Sequence, residues 1–402
     1  MTSRSRPRQP GLLRSAPAFR YLWLSRSISA TGTGVSQVAL VLLVAPSGTG
    51  RVSLVLLATV LPQLAGPLAG AVADRVDQRR LLAGCEAGQG VIYALIAAAR
   101  PSVPVLLPMV FGAGMLAALR SPAGKSSLPR LVPAGRLGRA NALMGLAMNL
   151  QIVAGPAIGG VLVGVAGLRA AFGVNAASFL IAALLLARLR PLPPEAVDEA
   201  GVLARTRTGL RYVAHSPVLR ALVLGMLAFV SFAAMDNVAL VFLVTRRLHG
   251  SAADYGAITA SFGLGMVIAS LALTARSDRR PAGHWLIGGV AVGAVATAAT
   301  GLAPGFALAA VAQAAAGAGN TADLVGTDIL VQQAVPPHLL GRAFGTVYTA
   351  AVLASVIAYA AAGPLVALAG PRGAFLVAGA GTLAALGLLV PVLTKRPPAQ
   401  PT

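Results

Sequence analysis

The chain has 402 residues, 56% of them hydrophobic and only 11% charged, with a mean hydropathy of +0.79. Ordinary soluble domains carry roughly 25% charged residues, so this composition excludes them and points to a membrane protein. A formal charge of +21 suggests nucleic acid until the basic residues are placed: 25 of the 32 Lys and Arg fall in the termini and even-numbered loops, six fall in odd-numbered loops, and Arg26 lies inside a helix. That bias follows the positive-inside rule. It predicts a multi-pass protein of the cytoplasmic membrane with both termini in the cytoplasm, with the lipid bilayer and not nucleic acid as its surroundings.

Crossing a hydrocarbon core of ~30 Å takes roughly 20 mostly apolar residues. Twelve such stretches can be read, at about 19–45, 51–73, 81–99, 103–120, 140–167, 170–187, 218–245, 252–275, 284–302, 304–333, 342–369 and 371–393. The first is too long for a signal-peptide core and has no small-residue cleavage site behind it, so it is expected to stay attached. Cys85 is the single cysteine and the four histidines are scattered, so no disulfide, metal site or cofactor is expected.

The first predicted helix follows an Arg-rich leader suited to anionic headgroups. It carries Arg26, Ser29, Thr33 and Gln37 at spacings of three and four, one polar face on an otherwise apolar helix. Such a stripe lines a cavity or makes interhelical hydrogen bonds. The second contains Pro62 and Pro67 beside Gly66 and Gly70, which permit a kink, and runs into Gly70-Ala-Val-Ala-Asp-Arg-Val-Asp-Gln-Arg-Arg80.

This loop resembles the signature between helices two and three of major facilitator superfamily transporters. Gly70, Asp74, Arg75, Arg79 and Arg80 match its positions, and Asp77 replaces a usual glycine. The resemblance implies a cytoplasmic gate that breaks and reforms as two bundles rock; the alternative is a basic loop that only sets topology. It also implies an all-α fold of twelve transmembrane helices in two pseudo-symmetric six-helix bundles, with helices 1, 4, 7 and 10 around a central cavity. Glu86, early in the third helix, is expected to pair with nearby basic loop residues.

The fourth helix is expected to end in Arg120-Ser-Pro-Ala-Gly-Lys-Ser126. Its Gly-Lys-Ser is not a phosphate loop, because Leu119 stands where the first glycine belongs and no strand precedes it. Without an ATP-binding segment, the energy is expected from a gradient. Val110 stands where drug-antiporter branches carry an arginine. Gly155-Pro156-Ala-Ile-Gly159-Gly160 resembles the end of the exporters' helix-five motif, with Gln151 in place of its earlier glycine; close helix packing explains the same glycines. Phe19 to Arg26, Arg139 to Leu143 and Phe172 to Phe179 resemble the subgroup of the enterobactin exporter and macrolide efflux proteins. There a Gly-Asp pair is common in helix one, whereas Thr33 follows Gly32 here.

Residues 188–216 break the apolar pattern and read as a cytoplasmic linker between an N-terminal bundle, 1–187, and a C-terminal bundle, 217–402; a short surface helix after Glu195 is possible. Beyond it, Asp236 and Asn237 fall within the seventh helix, and Gln313, Asn320, Asp323 and Asp328 in the tenth. Carboxylates inside a membrane are functional candidates by default. Asp236 and Asp323 are therefore proton-coupling candidates or, alternatively, structural hydrogen-bonding acids, while Asp328 reads as interfacial. Arg26, Ser29, Thr33, Gln37, Arg120, Gln151, Asn237 and Asn320 are the candidates for the cavity.

The two halves are related in sequence. Val132 to Phe172 aligns without a gap on Val335 to Phe375, 203 residues later, with 18 of 41 positions identical. This offset makes Arg120 and Asp323 equivalent, two opposite charges that could meet when a cytoplasmic gate closes. The function expected is secondary active export of a small organic molecule, drug-, macrolide- or siderophore-like, by alternating access, with proton antiport as coupling and no enzymatic activity. Proton-coupled uptake, and a non-transporting receptor or assembly factor, are the alternatives. A monomer is expected.

Overall fold

A computed structural model describes residues 11–194, 211, 214–274, 281–336 and 339–394. Most of the expected linker lies outside these residues, as do Asp278 and Arg279, which repeat the Asp74-Arg75 sequence in the second half. Among those described, there is no strand. Helix α1 is Pro17–Val44; α2 is a bent pair, Thr49–Val60 and Gly66–Arg75; α3 is Gln78–Ala99 and α4 is Val103–Leu131. Leu137–Asn149 continues through a π-helical turn, Leu150–Ala154, into Gly155–Ala187. Its backbone breaks at Gly167, dividing α5 before the break from α6 after it. Helix α7 is Pro217–Ala233 with Asp236–Phe242, α8 is Ala252–Thr274, α9 is Ala282–Leu302 and α10 is Phe306–Ala334. Leu340–Thr394 divides at Gly370 into α11 and α12.

These are the twelve crossings. Among the described residues, eight helices are long and apolar enough to span a membrane, or nine if Thr49–Ala65 and Leu68–Arg75 of α2, which meet at a 59° bend, form one span. The 51-residue Leu137–Ala187 is more than twice the roughly 20 residues that one crossing takes and breaks at Gly167, so it and Leu340–Thr394, which breaks at Gly370, each cross twice. Helix α10 completes the twelve; its Gln313, Asn320, Asp323 and Asp328 dilute its apolar character. The bend in α2 falls directly after a 3-10 turn, Leu61–Ala65, at Gly66 and Pro67, where the proline removes a backbone donor.

One boundary differs from expectation. Helix α4 does not end at Arg120 but runs to Leu131 with Pro108, Pro122 and Pro129 inside it. The Gly-Lys-Ser sequence is thus helical, and Arg120 lies about 16 Å from the helix end. Interior prolines end soluble helices more firmly than membrane helices, where neighbouring chains satisfy the freed carbonyls.

The internal repeat holds at the level of backbone geometry. Gly167 (φ 80°, ψ 175°) and Gly370 (φ 71°, ψ 172°), 203 apart, adopt the same backbone conformation. Val132 and Val335 are both extended C-caps, of α4 and α10. Phe172 and Phe375 are both fully buried just past the glycine breaks. In the first half, Tyr93 of α3 stacks on Phe172 and Phe179 of α6, with ring centroids 6.4 and 5.7 Å apart.

Three hydrophobic cores divide the molecule by depth. One, including Val35, Val38–Val41, Val44, Phe172, Phe179, Val238–Val244, Tyr255, Ile258, Ala358, Ala362 and Phe375, draws on both halves and occupies the end remote from the termini. The other two lie at the end that bears the termini, one built from the first half (Phe19, Leu22, Leu82, Leu128, Ala140, Leu186) and one from the second (Leu219, Phe229, Leu286, Val331, Val347, Leu386). Among the described residues, no core at that end combines the halves.

Gly167 and Gly370 occupy a region open essentially to glycine alone, where a side chain costs about 1–3 kcal/mol. Gly167→Ala and Gly370→Ala should each lower the thermal unfolding midpoint of the purified protein by several degrees. Gly164→Ala, where a methyl group meets open space, should leave it unchanged.

Candidate functional site

Beyond the shared core, the halves meet along seams of small residues. Gly155 of α5 lies against Gly34 of α1, and a methyl group added there would sit 2.6 Å from the Gly34 Cα. One turn on, a methyl at Gly159 would lie 2.9 Å from the Val35 Cα. The adjacent Gly160 turns to the other half, where a methyl would meet the Ala252 carbonyl oxygen at 2.6 Å and the Gly256 Cα at 2.8 Å on α8. Pro156 contributes its carbonyl to the same α8 contact. The glycine-proline segment is thus a wedge between α1 and the opposite half. A second seam joins Gly363 of α11 to Gly50 and Ser53 of α2.

Toward the end bearing the termini, the polar residues of the first half converge. Glu86 of α3, 2% exposed, pairs through Oε1 with Arg120 Nη1 of α4 at 3.0 Å. The Ser29 hydroxyl of α1 donates to the same Oε1 at 3.2 Å. Arg26, one turn from Ser29, lies within electrostatic reach of both Arg120 and Glu86 and extends Nη2 to Met148 Sδ of α5 at 3.4 Å. Glu86 therefore does not pair with loop residues as expected; the extension of α4 carries Arg120 to its depth. Nor does Arg120 meet Asp323 in this arrangement. Thr33 turns its hydroxyl to the Ser29 carbonyl, Gln37 is exposed, and Gln151 sits half-buried on the π-helical turn.

Among the described residues, the buried acids of the second half form no ion pair with a cation. Asp236 opens the second segment of α7, where the helix breaks at Ala234 and Met235. It accepts from the exposed Asn237 at 3.0 Å. Tyr255 of α8, Tyr359 of α11 and Gln313 of α10 are within interaction range of it, and the buried Gln313 amide nitrogen has no closer hydrogen-bonding partner. Asp323 is 3% exposed and accepts from Thr327 at 3.4 Å, while Asn320 is half-buried one turn away. Asp328 is exposed. The two tyrosines carry no motif; only their proximity to Asp236 marks them.

The loop after α2 is ordered by the residue that breaks its pattern. Asp77 caps α3, accepting from Arg80 N at 2.9 Å through Oδ1 and from Leu192 N at 2.9 Å through Oδ2. Gln78 N donates to the Leu192 carbonyl at 3.0 Å, Arg79 to the Ala187 carbonyl and Arg130 to the Pro193 carbonyl. This clasp fastens the loop to the segment after α6. Asp74 and Arg75 are exposed and make no ion pair among the described residues, and Gly70 faces open space.

The family described as "transmembrane secretion effector" matches residues 13–400. An uncharacterized MFS-type transporter, YfiS of Bacillus subtilis, is 28% identical over 92% of this chain and 91% of its own. The enterobactin exporter EntS of Citrobacter koseri is 28% identical over 95% of this chain and 93% of its own. Among solved structures, a POT family transporter in complex with 5-aminolevulinic acid superposes with a TM-score of 0.79 at 12% identity, covering 96% of this chain and 99% of that one. A bacterial homologue of the human lysosomal transporter Spinster does so with 0.67 at 18%, covering 94% and 95%. These likenesses give the fold: the major facilitator arrangement of two six-helix bundles.

Loss of an aspartate N-cap costs about 0.5–2 kcal/mol, and Asp77 also holds Leu192. Asp77→Ala should lower the unfolding midpoint and expose the 188–194 segment to protease, while Asp77→Asn, which keeps acceptor Oδ1, should lose less. Proteolysis unchanged in Asp77→Ala would show that the clasp is dispensable.

Proposed function

Because the chain belongs to the transmembrane secretion effector family, and is thus a multi-pass transporter of the major facilitator superfamily, we propose that it exports a small organic molecule from the cytoplasm by alternating access coupled to proton entry. The observation that carries this reading is the division of the cores. The halves share one core at the end remote from the termini and have separate cores at the other. Such an arrangement is one of the two states that alternating access requires, closed on one side and parted on the other. The positive-inside bias makes the parted side cytoplasmic, and the membrane the cytoplasmic one.

The roles follow from position. The wedge Gly155, Pro156, Gly159 and Gly160 lets the halves rock, because backbones in direct contact can roll without side chains interlocking. Gly70, Asp74, Arg75, Arg79 and Arg80 stand at the parted end, where Asp74 and Arg75 are free to engage the other half when it closes. Asp236 is the preferred proton carrier. It has neutral hydrogen-bonding neighbours and no cation, so either protonation state can be accommodated without stranding a buried charge. Asp323 is the second candidate. Export is favoured over uptake by the family's description and by likeness to an exporter; the protein acts as a monomer on a small-molecule substrate.

Expressed in a strain lacking its own efflux pumps, the protein should lower accumulation of part of a panel of amphipathic antibiotics and dyes, and a protonophore should abolish that effect. Asp74→Asn should slow efflux about tenfold or more at equal expression, as expected when a charged latch worth ~1.4 kcal/mol or more is lost. Asp236→Asn should remove the response to the protonophore while substrate still binds. Raised accumulation in the wild type would instead identify uptake, and an Asp236→Asn protein that behaves as wild type would move the proton to Asp323.

A further inference from the structure

Arg26, Glu86 and Arg120 set two guanidinium groups against one carboxylate at a depth of about 12–17 Å from the ends of their helices. One positive charge is left over, in a setting where buried charges are normally paired. The pairing that exists is incomplete. Arg120 and Glu86 meet through a single contact instead of a two-pronged fork, and both the Arg120 Nε and the Glu86 Oε2 are buried without a hydrogen-bonding partner. Arg26 has five N–H donors, and the acceptor it reaches is a thioether sulfur, a weak one.

The surplus faces the gap between the halves. Residues 148 and 152 share a face of α5, and Ile152 packs on Gly263 of α8 in the opposite half. Met148, one turn nearer the parted end on that face, is 40% exposed. Arg26 therefore reaches the rim of the space that opens where the halves separate, with the Arg120–Glu86 pair behind it.

We propose that Arg26 and Arg120 form an anion-binding site in this cavity, with Glu86 as its resident occupant, and that the transported molecule carries an acidic group that takes the place of Glu86 on Arg120. This rests on the reading of the gap as the substrate's cavity. A charge-assisted contact between guanidinium and anion is worth about 1.5–3 kcal/mol, or roughly ten- to a hundredfold in affinity. The ligand class is an amphipathic organic anion, bearing a carboxylate, sulfonate or ionised phenol.

Two dyes of nearly the same shape test it: 8-anilinonaphthalene-1-sulfonate and its neutral counterpart N-phenyl-1-naphthylamine, titrated against the full-length protein in lipid nanodiscs with empty nanodiscs as the blank. The wild type should bind the sulfonate about tenfold more tightly than the neutral dye. Arg26→Gln and Arg120→Gln should each abolish most of that preference without changing affinity for the neutral dye. Glu86→Gln, which vacates Arg120 but keeps the side chain's shape, should bind the sulfonate more tightly than the wild type. A purely structural ion pair gives the opposite sign, with Glu86→Gln weakening binding together with the arginine variants, and that result would overturn the proposal. Should Arg120→Gln fail to fold, Arg120→Lys reports instead, and is expected to retain part of the preference. Equal binding of both dyes to the wild type, or binding of the neutral dye alone, would refute the anion site but leave the cavity standing; failure of both dyes to bind would count against the cavity itself.

Discussion

The arrangement depends on how closely two backbones can approach inside a lipid-filled environment. Apolar side chains gain little by leaving lipid for one another, so helix association there relies on van der Waals contact between small residues. Helix α5 supplies that contact on two faces at once, Gly155 and Gly159 against α1 and Gly160 against Gly256 of α8. With Gly363 against Gly50 and Ser53, these contacts join the halves near the shared core and leave the opposite ends, each with its own core, independent. Contacts made by backbone carry no interlocked side chains to be undone, which suits the proposed rocking of one half on the other. The same contacts explain why α5 tolerates a π-helical turn at Leu150–Ala154: the turn lies where the wedge begins, and π-bulges recur at functional sites.

The two halves descend from one pattern but hold different chemistry. At equivalent positions, the first half has Arg120 and the second Asp323. Around Arg120, the charges Glu86 and Arg26 accumulate, whereas the acids of the second half have hydroxyls, amides and tyrosines for neighbours. A membrane-buried carboxylate next to an arginine has a charged partner to exchange; one beside neutral groups has none. The proposed roles divide along the same line, with anion recognition assigned to the first half and proton handling to the second.

The fold was legible in the sequence because it rests on coarse, repeated signals. Twelve apolar stretches, the charge bias and the 203-residue repeat each constrain it, and the repeat reaches even the conformation of Gly167 and Gly370. The site was less legible. Arg26 and Ser29 declare themselves by helical spacing, but the fourth apolar stretch stops at Arg120, so Arg120 reads as a boundary residue and Glu86 as a partner for the loops. Helix α4 runs on past Pro122 and Pro129 because packed neighbours stabilise an interrupted membrane helix. Tyr255 and Tyr359 could not be linked to Asp236 from sequence, since α8 and α11 meet α7 only in three dimensions. Asp77 shows the reverse case: a departure from the family pattern that forms a cap and clasp of its own.

The central claim is that the halves rock about the glycine wedge, and spin-label distances measure it directly. Arg139 and Arg342 are equivalent positions at the end bearing the termini, and Arg169 and Arg372 at the remote end. Pairs of spin-labelled cysteines at 139 with 342 and at 169 with 372, in a Cys85→Ser background in nanodiscs, can be followed from acidic to alkaline pH. The account predicts reciprocal change, the first distance shortening in the condition where the second lengthens. Two distributions that remain single and fixed, or that widen together, would contradict it.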